Sequence, residues 1–103
     1  MSRLILVIIA ALAVLAAGPA AASEALAKAR NCLACHSVDK KIVGPAYRDI
    51  AKKFAGQPDA VATLSNAIMK GSQGAWGRVA MPANAAVKPE EAKTLAAWVL
   101  SFK

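Results

Sequence analysis

Cys32-Leu33-Ala34-Cys35-His36 is the stretch on which the reading of this chain turns. Two cysteines three apart, with a histidine directly after them, form the attachment motif of c-type haem. The spacing has a physical reason. On one helical turn, positions i, i+3 and i+4 share a face. Both sulfurs then reach the two vinyl groups of a single haem, while His36 stands under the ring as an iron ligand. His36 is also the only histidine among the 103 residues.

Other uses of a C-x-x-C pair fit less well. A thioredoxin-like redox site needs a βαβ setting, and no segment here alternates strand and helix. A structural zinc site takes about four protein ligands. Cys32, Cys35 and His36 supply three, and the chain holds no further Cys or His.

Covalent haem attachment of this kind requires an export compartment, and the N-terminus carries an export pattern. Met1-Ser2-Arg3 is a short basic start, and Leu4 to Ala17 is an unbroken apolar run of 14 residues. That length suits a signal peptide and falls short of the ~20 residues that span a bilayer. Gly18-Pro19 ends the run, and Ala20-Ala21-Ala22 offers the small residues of a cleavage site before Ser23. Residues 1–22 are therefore expected to be a cleaved signal peptide, with the periplasm as destination. Counted on to Ser23 the uncharged stretch is longer, and left uncut it would act as an anchor.

The remainder, residues 23–103, is enough for one small domain and too little for two. Export removes only Arg3 from the thirteen cations, leaving twelve against six acids, or +6. So small a domain buries a limited core and often needs a staple. A covalent haem supplies one, and with both cysteines as thioethers no disulfide is expected.

Periodicity predicts an all-α domain of about four helices. The first is expected over Ser23 to Cys35, with Ser23 as N-cap and Glu24 favouring the positive end of the dipole. A short helix fits Tyr47 to Ala55 after the Gly44-Pro45 break. A third fits Asp59 to Lys70, stopped by Gly71. From Ser72 to Val87 the chain is rich in Gly, Pro, Asn and Ala and has no stable period; so long a loop is usually functional. The last helix starts at Pro89, and Leu95, Trp98, Val99 and Phe102 form its apolar stripe. No stretch alternates with period two, so strands are not expected.

One histidine leaves the second iron face to be filled, and what fills it separates electron transfer from gas binding or catalysis. The candidates are Met69, Met81, a lysine or nothing. Met69 lies inside the third helix, as a packing residue would. Met81 lies in the long loop, where Pro82 disfavours helix and stiffens the turn.

Taken together, these segments resemble the small bacterial cytochrome c-551 (c8) type of class I cytochrome c. The likeness covers nearly all of residues 23–103. It runs through the haem motif, Val43-Gly44-Pro45-Ala46-Tyr47, Gly71-Ser72-Gln73-Gly74-Ala75-Trp76-Gly77, Met81-Pro82-Ala83-Asn84 and Leu95-Ala96-Ala97-Trp98-Val99-Leu100. The resemblance implies a single haem c with His36 and Met81 as axial ligands. It further implies that the Pro45 carbonyl accepts from the His36 ring, that Trp76 hydrogen-bonds a haem propionate, and that Asn84 lies near the Met81 sulfur. Where some relatives carry a basic residue in the third helix, this chain has Ala67, and Arg78 is the candidate substitute. The implied role is a monomeric one-electron carrier between respiratory redox proteins, not an enzyme, with a nitrite reductase or a terminal oxidase among its acceptors.

The cations are spread along the chain, Lys28, Lys40, Lys41, Lys70 and Arg78 among them. They read either as a solvating surface or as a basic rim that steers acidic redox partners. No basic run is interleaved with aromatics, which argues against nucleic acid.

Overall fold

The computed structural model describes residues 18–103. The expected signal peptide therefore lies mostly outside the described residues. Its last part is helical and continuous with the first element, α1 (Pro19–Ala29). Pro19 suits a first helical turn, where a missing N–H breaks no bond. Ser23 is not the N-cap. It lies inside α1, buried, with Oγ donating to the Pro19 carbonyl at 2.9 Å.

The first helix also ends earlier than its spacing predicts. Asn31 takes φ 60°, the left-handed conformation that Asn tolerates, and stops α1 before the motif. The amides of Arg30 and Asn31 close the end by donating to the carbonyls of Leu26 and Lys28. Cys32–Ala34 then form a separate 3-10 turn, with the amides of Cys35 and His36 both donating to the Cys32 carbonyl.

Helices α2 (Tyr47–Phe54) and α3 (Ala60–Lys70) follow the expected positions closely. The first amides of α2 need partners outside the helix. Tyr47 and Arg48 find them in the carbonyls of Ser37 and Val38, at 2.9 and 3.1 Å. That pair of bonds docks α2 onto the segment just after His36. At the far end of α3, Gly71 has φ 85°, and a Cβ there would stand 2.7 Å from the Met81 carbonyl oxygen. Only glycine permits both the turn and that close approach.

The long segment after Gly71 is not wholly irregular. Strands β1 (Ser72–Gly74) and β2 (Gly77–Met81) pair antiparallel, with Ser72 opposite Met81 and Gly74 opposite Gly77. This hairpin is the one departure from the all-α expectation among the described residues. It escapes a period-two reading because four of the five β2 residues are exposed, so neither face demands apolar side chains.

Helix α4 (Pro89–Leu100) is the hub on which α1, α2 and α3 all pack. Glu91 steadies its start by accepting from the Lys88 amide at 3.0 Å. Leu95 and Val99 are buried, and Leu95 is 2% exposed. Burying one such leucine contributes about 1.5–3 kcal/mol. Two apolar clusters result. One gathers Ala27, Val87, Ala92 and Leu95, the other Tyr47, Ile50 and Val99, and Trp98 packs against both.

Candidate functional site

Between the four helices and the hairpin lies a cavity of about 600 Å³, lined by both cysteines and the histidine of the motif. That volume lies in the range of small-molecule and cofactor sites. Its walls are largely apolar, with Ile50, Leu64, Ile68, Leu95 and Val99 drawn from α2, α3 and α4.

His36 is held from two sides. The chain turns back after the motif because the Cys35 carbonyl accepts from the amides of Val43 and Gly44, the latter at 2.8 Å. Gly44 is thereby pressed onto the imidazole. A Cβ at Gly44 would lie 2.4 Å from His36 Cε1, so any larger residue would push the ring away. The next residue supplies a partner: His36 Nδ1 donates to the Pro45 carbonyl at 2.7 Å. With Nδ1 protonated, Nε2 keeps its lone pair, and the second nitrogen of the ring is the one available to a metal.

Met81, Asn84, Trp76 and Pro45 line the same cavity. Met69 does not line it; its side chain packs against the Ala27, Val87 and Leu95 cluster. Asn84 is engaged by α3: its amide nitrogen and side-chain Nδ2 both donate to the Ile68 carbonyl at 3.0 Å. Those bonds tie the segment after Met81 down to α3. Trp76 is 38% exposed and sits under Lys53, whose Nζ lies 4.5 Å from the ring centroid. Ala67 and Arg78 both line the cavity.

Two residues went unmarked as contributors. Gly44 reads in the sequence as a helix breaker, yet here it sets how closely the backbone approaches the imidazole. Tyr47 shows only as the start of a helix, yet its ring stacks on His36 with centroids 5.4 Å apart. A large aromatic at the first position of a helix that follows Gly-Pro is the signal that marks it. Burial disfavours the phenolate and pushes the Tyr47 hydroxyl above its ordinary pKa. Burial likewise pushes the Cys32 thiol above its ordinary pKa.

The donor set fits a covalently held haem. Two unbridged thiols, an oriented imidazole and a thioether share one apolar chamber. Among the described residues no three His, Cys, Asp or Glu side chains gather as a metal cluster of their own.

Comparison with known proteins agrees. The cytochrome c family model matches residues 20–103. The chain is 58% identical to cytochrome c-551 of Pseudomonas denitrificans over 80 residues, covering 78% of this chain and 96% of that one. It is 50% identical to cytochrome c-551 of Stutzerimonas stutzeri over the whole of both chains. The crystal structure of Nitrosomonas europaea cytochrome c552 superposes with a TM-score of 0.76 at 49% identity, covering 78% of this chain and 99% of that one. With an oriented histidine beside the paired cysteines and relatives this similar along its length, the chain belongs to the cytochrome c family, as a small class I c-type cytochrome that carries one haem c and serves as an electron carrier.

Proposed function

We propose that this protein is an exported, periplasmic one-electron carrier whose haem iron is held by His36 and Met81, and that it is not an enzyme. What carries the reading is the Nδ1–H bond from His36 to Pro45, which turns Nε2 toward ligation, in a cavity that Met81 also lines. Haem c supplies a one-electron couple at iron, and a methionine ligand raises its potential. The chain's own residues do the rest. Cys32 and Cys35 tether, Pro45 fixes the tautomer and strengthens the imidazole as a ligand, and the α2, α3 and α4 side chains exclude water. With His36 and Met81 both holding the iron, no position would be open to a substrate. Trp76 offers a donor-only indole N–H suited to a propionate, and Asn84 fixes the backbone just past Met81.

Redox partners dock at the cavity mouth. Ile42, Val43 and Val79 are 53%, 50% and 67% exposed, and Lys41 and Arg78 line the same cavity. An apolar patch with cations beside it suits acidic partners, a nitrite reductase or a terminal oxidase among them, met as a monomer. Residues 1–22 direct export and are removed before Ser23, as their basic start, apolar run and small-residue site imply.

The test is an absorption spectrum of the oxidised protein, together with the mass of the form recovered from the periplasm. A weak sulfur-to-iron charge-transfer band and an N-terminus at Ser23 are expected. A haem spectrum without that band, altered by added cyanide or carbon monoxide at once, would mean an open face and a gas-binding or catalytic role instead.

A further inference from the structure

We propose that Lys53 is a positioning residue that clamps the turn of the Met81-bearing hairpin onto α2. Lys53 lies in the last turn of α2, and its Nζ donates to the Ala75 carbonyl at 2.9 Å. The same ammonium lies 4.5 Å from the centroid of the Trp76 ring. Ala75 and Trp76 are the two turn residues between β1 and β2, flanked by the Gly74 and Gly77 pair. One cation thus takes both residues of the turn, through a charge-assisted hydrogen bond and a cation–π contact.

The hairpin needs such a hold. A lone two-stranded hairpin is marginal in water, and β2 has almost no buried side chain to anchor it. Its Met81 end is pinned: Gly71 lets the Met81 carbonyl approach closely, and Asn84 is bonded to Ile68 of α3. At the turn end the tie from the protein's own helices is Lys53, beside the indole N–H that Trp76 offers to a propionate. With both ends held, β2 runs a set course from Gly77 to Met81 along the cavity. The lysine stem alone would not serve, because both contacts draw on the positive charge. Lys52 lies beside it on the same helix with no bond to the turn, and separates a clamp from a loss of surface charge. The clamp deepens the axial-ligand reading above and rests on it only for the optical part of its test.

The experiment uses the haem-loaded protein and compares Lys53→Met, Lys53→Arg and Lys52→Met by amide hydrogen exchange. In Lys53→Met the amides of residues 77–81 should exchange about 5- to 30-fold faster, the factor by which losing two modest contacts shifts a local opening equilibrium. Amides in α1 and α4 should keep the parent's rates. Lys53→Arg should restore protection, since guanidinium keeps the charge and stacks on aromatic rings, and Lys52→Met should match the parent. On warming, the sulfur-to-iron band of Lys53→Met should fade well before global unfolding. Unchanged hairpin exchange in Lys53→Met overturns the clamp. So does a rise spread equally over all helices, a failure of arginine to rescue, or an equal effect of Lys52→Met. If the parent itself lacks the band, the Met81 assignment falls, and exchange alone judges the clamp.

Discussion

The imidazole of His36 lies against the phenol ring of Tyr47, with centroids 5.4 Å apart and planes 22° from parallel. Tyr47 in turn meets Trp98 edge-on at 5.3 Å and stacks on Phe102 at 6.0 Å. The haem-side histidine is therefore continuous with the apolar contact between α2 and α4. Tyr47→Ala removes the ring that joins them and should cost about 3–5 kcal/mol, as aromatic truncations in cores do. Tyr47→Phe keeps the ring and should cost far less. Guanidinium titrations of the haem-loaded variants decide it. Equal losses for the two substitutions would assign the stability to the hydroxyl.

Met81 and Met69 make a second comparison, because only the former lines the cavity. Met81→His should keep a six-coordinate haem and lower the reduction potential substantially, imidazole replacing thioether. Met69→Leu conserves volume in a packed cluster and should leave spectrum and potential nearly unchanged, with less than about 1.5 kcal/mol lost. Potentiometry on both variants is the measurement. A large shift with Met69→Leu and none with Met81→His would reverse the ligand assignment.

These residues also show what could be read from the sequence alone. The haem motif and three of the helices were legible because each rests on local chemistry: fixed spacing, a Pro in a first turn, a Gly after a helical stripe. The ends of α1 were not. Asn31 ends the helix early by taking the left-handed conformation, and Ser23 lies inside it because Pro19 to Ala22 continue the helix upstream. The hairpin was hidden for the opposite reason, since a strand with both faces exposed leaves no alternating pattern. Gly44 is a site residue because the Cys35 carbonyl turns the chain back onto His36, a contact between residues nine apart that local propensity does not encode.

Glu91 links the two terminal helices and gives stability a pH dependence. Its carboxylate accepts from the Lys88 amide at 3.0 Å and from the Arg30 guanidinium at 3.0 and 3.2 Å. Those bonds, the backbone one first, hold its carboxyl below the ordinary carboxylate value. A group whose pKa is depressed by folding stabilises the folded state above its unfolded pKa, about 4.3 for Glu. That contribution is lost as pH falls through the lower folded value. Glu91→Gln should therefore melt lower than the parent at neutral pH and lose less on acidification below about pH 4. Thermal melts across the acid range would show the two curves converging. Parallel curves would mean that the depressed carboxyl contributes nothing to folding.

Charge at the cavity mouth should act on association rather than on folding. Exposed ion pairs are worth about 0–1 kcal/mol each, but charges beside the haem sum into a field that steers encounter. Lys41 and Arg78 line the cavity, while Lys28 pairs with Glu24 on the flank of α1 at 3.5 Å. Reversing Lys41 and Arg78 to glutamate should slow electron transfer to an anionic acceptor at low salt and speed it to a cationic one. Reversing Lys28 and Lys70, at the same cost in net charge, should do distinctly less. At about 1 M salt, where the Debye length is ~3 Å, all three proteins should converge. Second-order rates against ionic strength, with both acceptors, make the comparison. Equal effects from the two pairs would mean that only total charge counts, and rates independent of salt would mean that docking is governed by the apolar contacts of Ile42, Val43 and Val79.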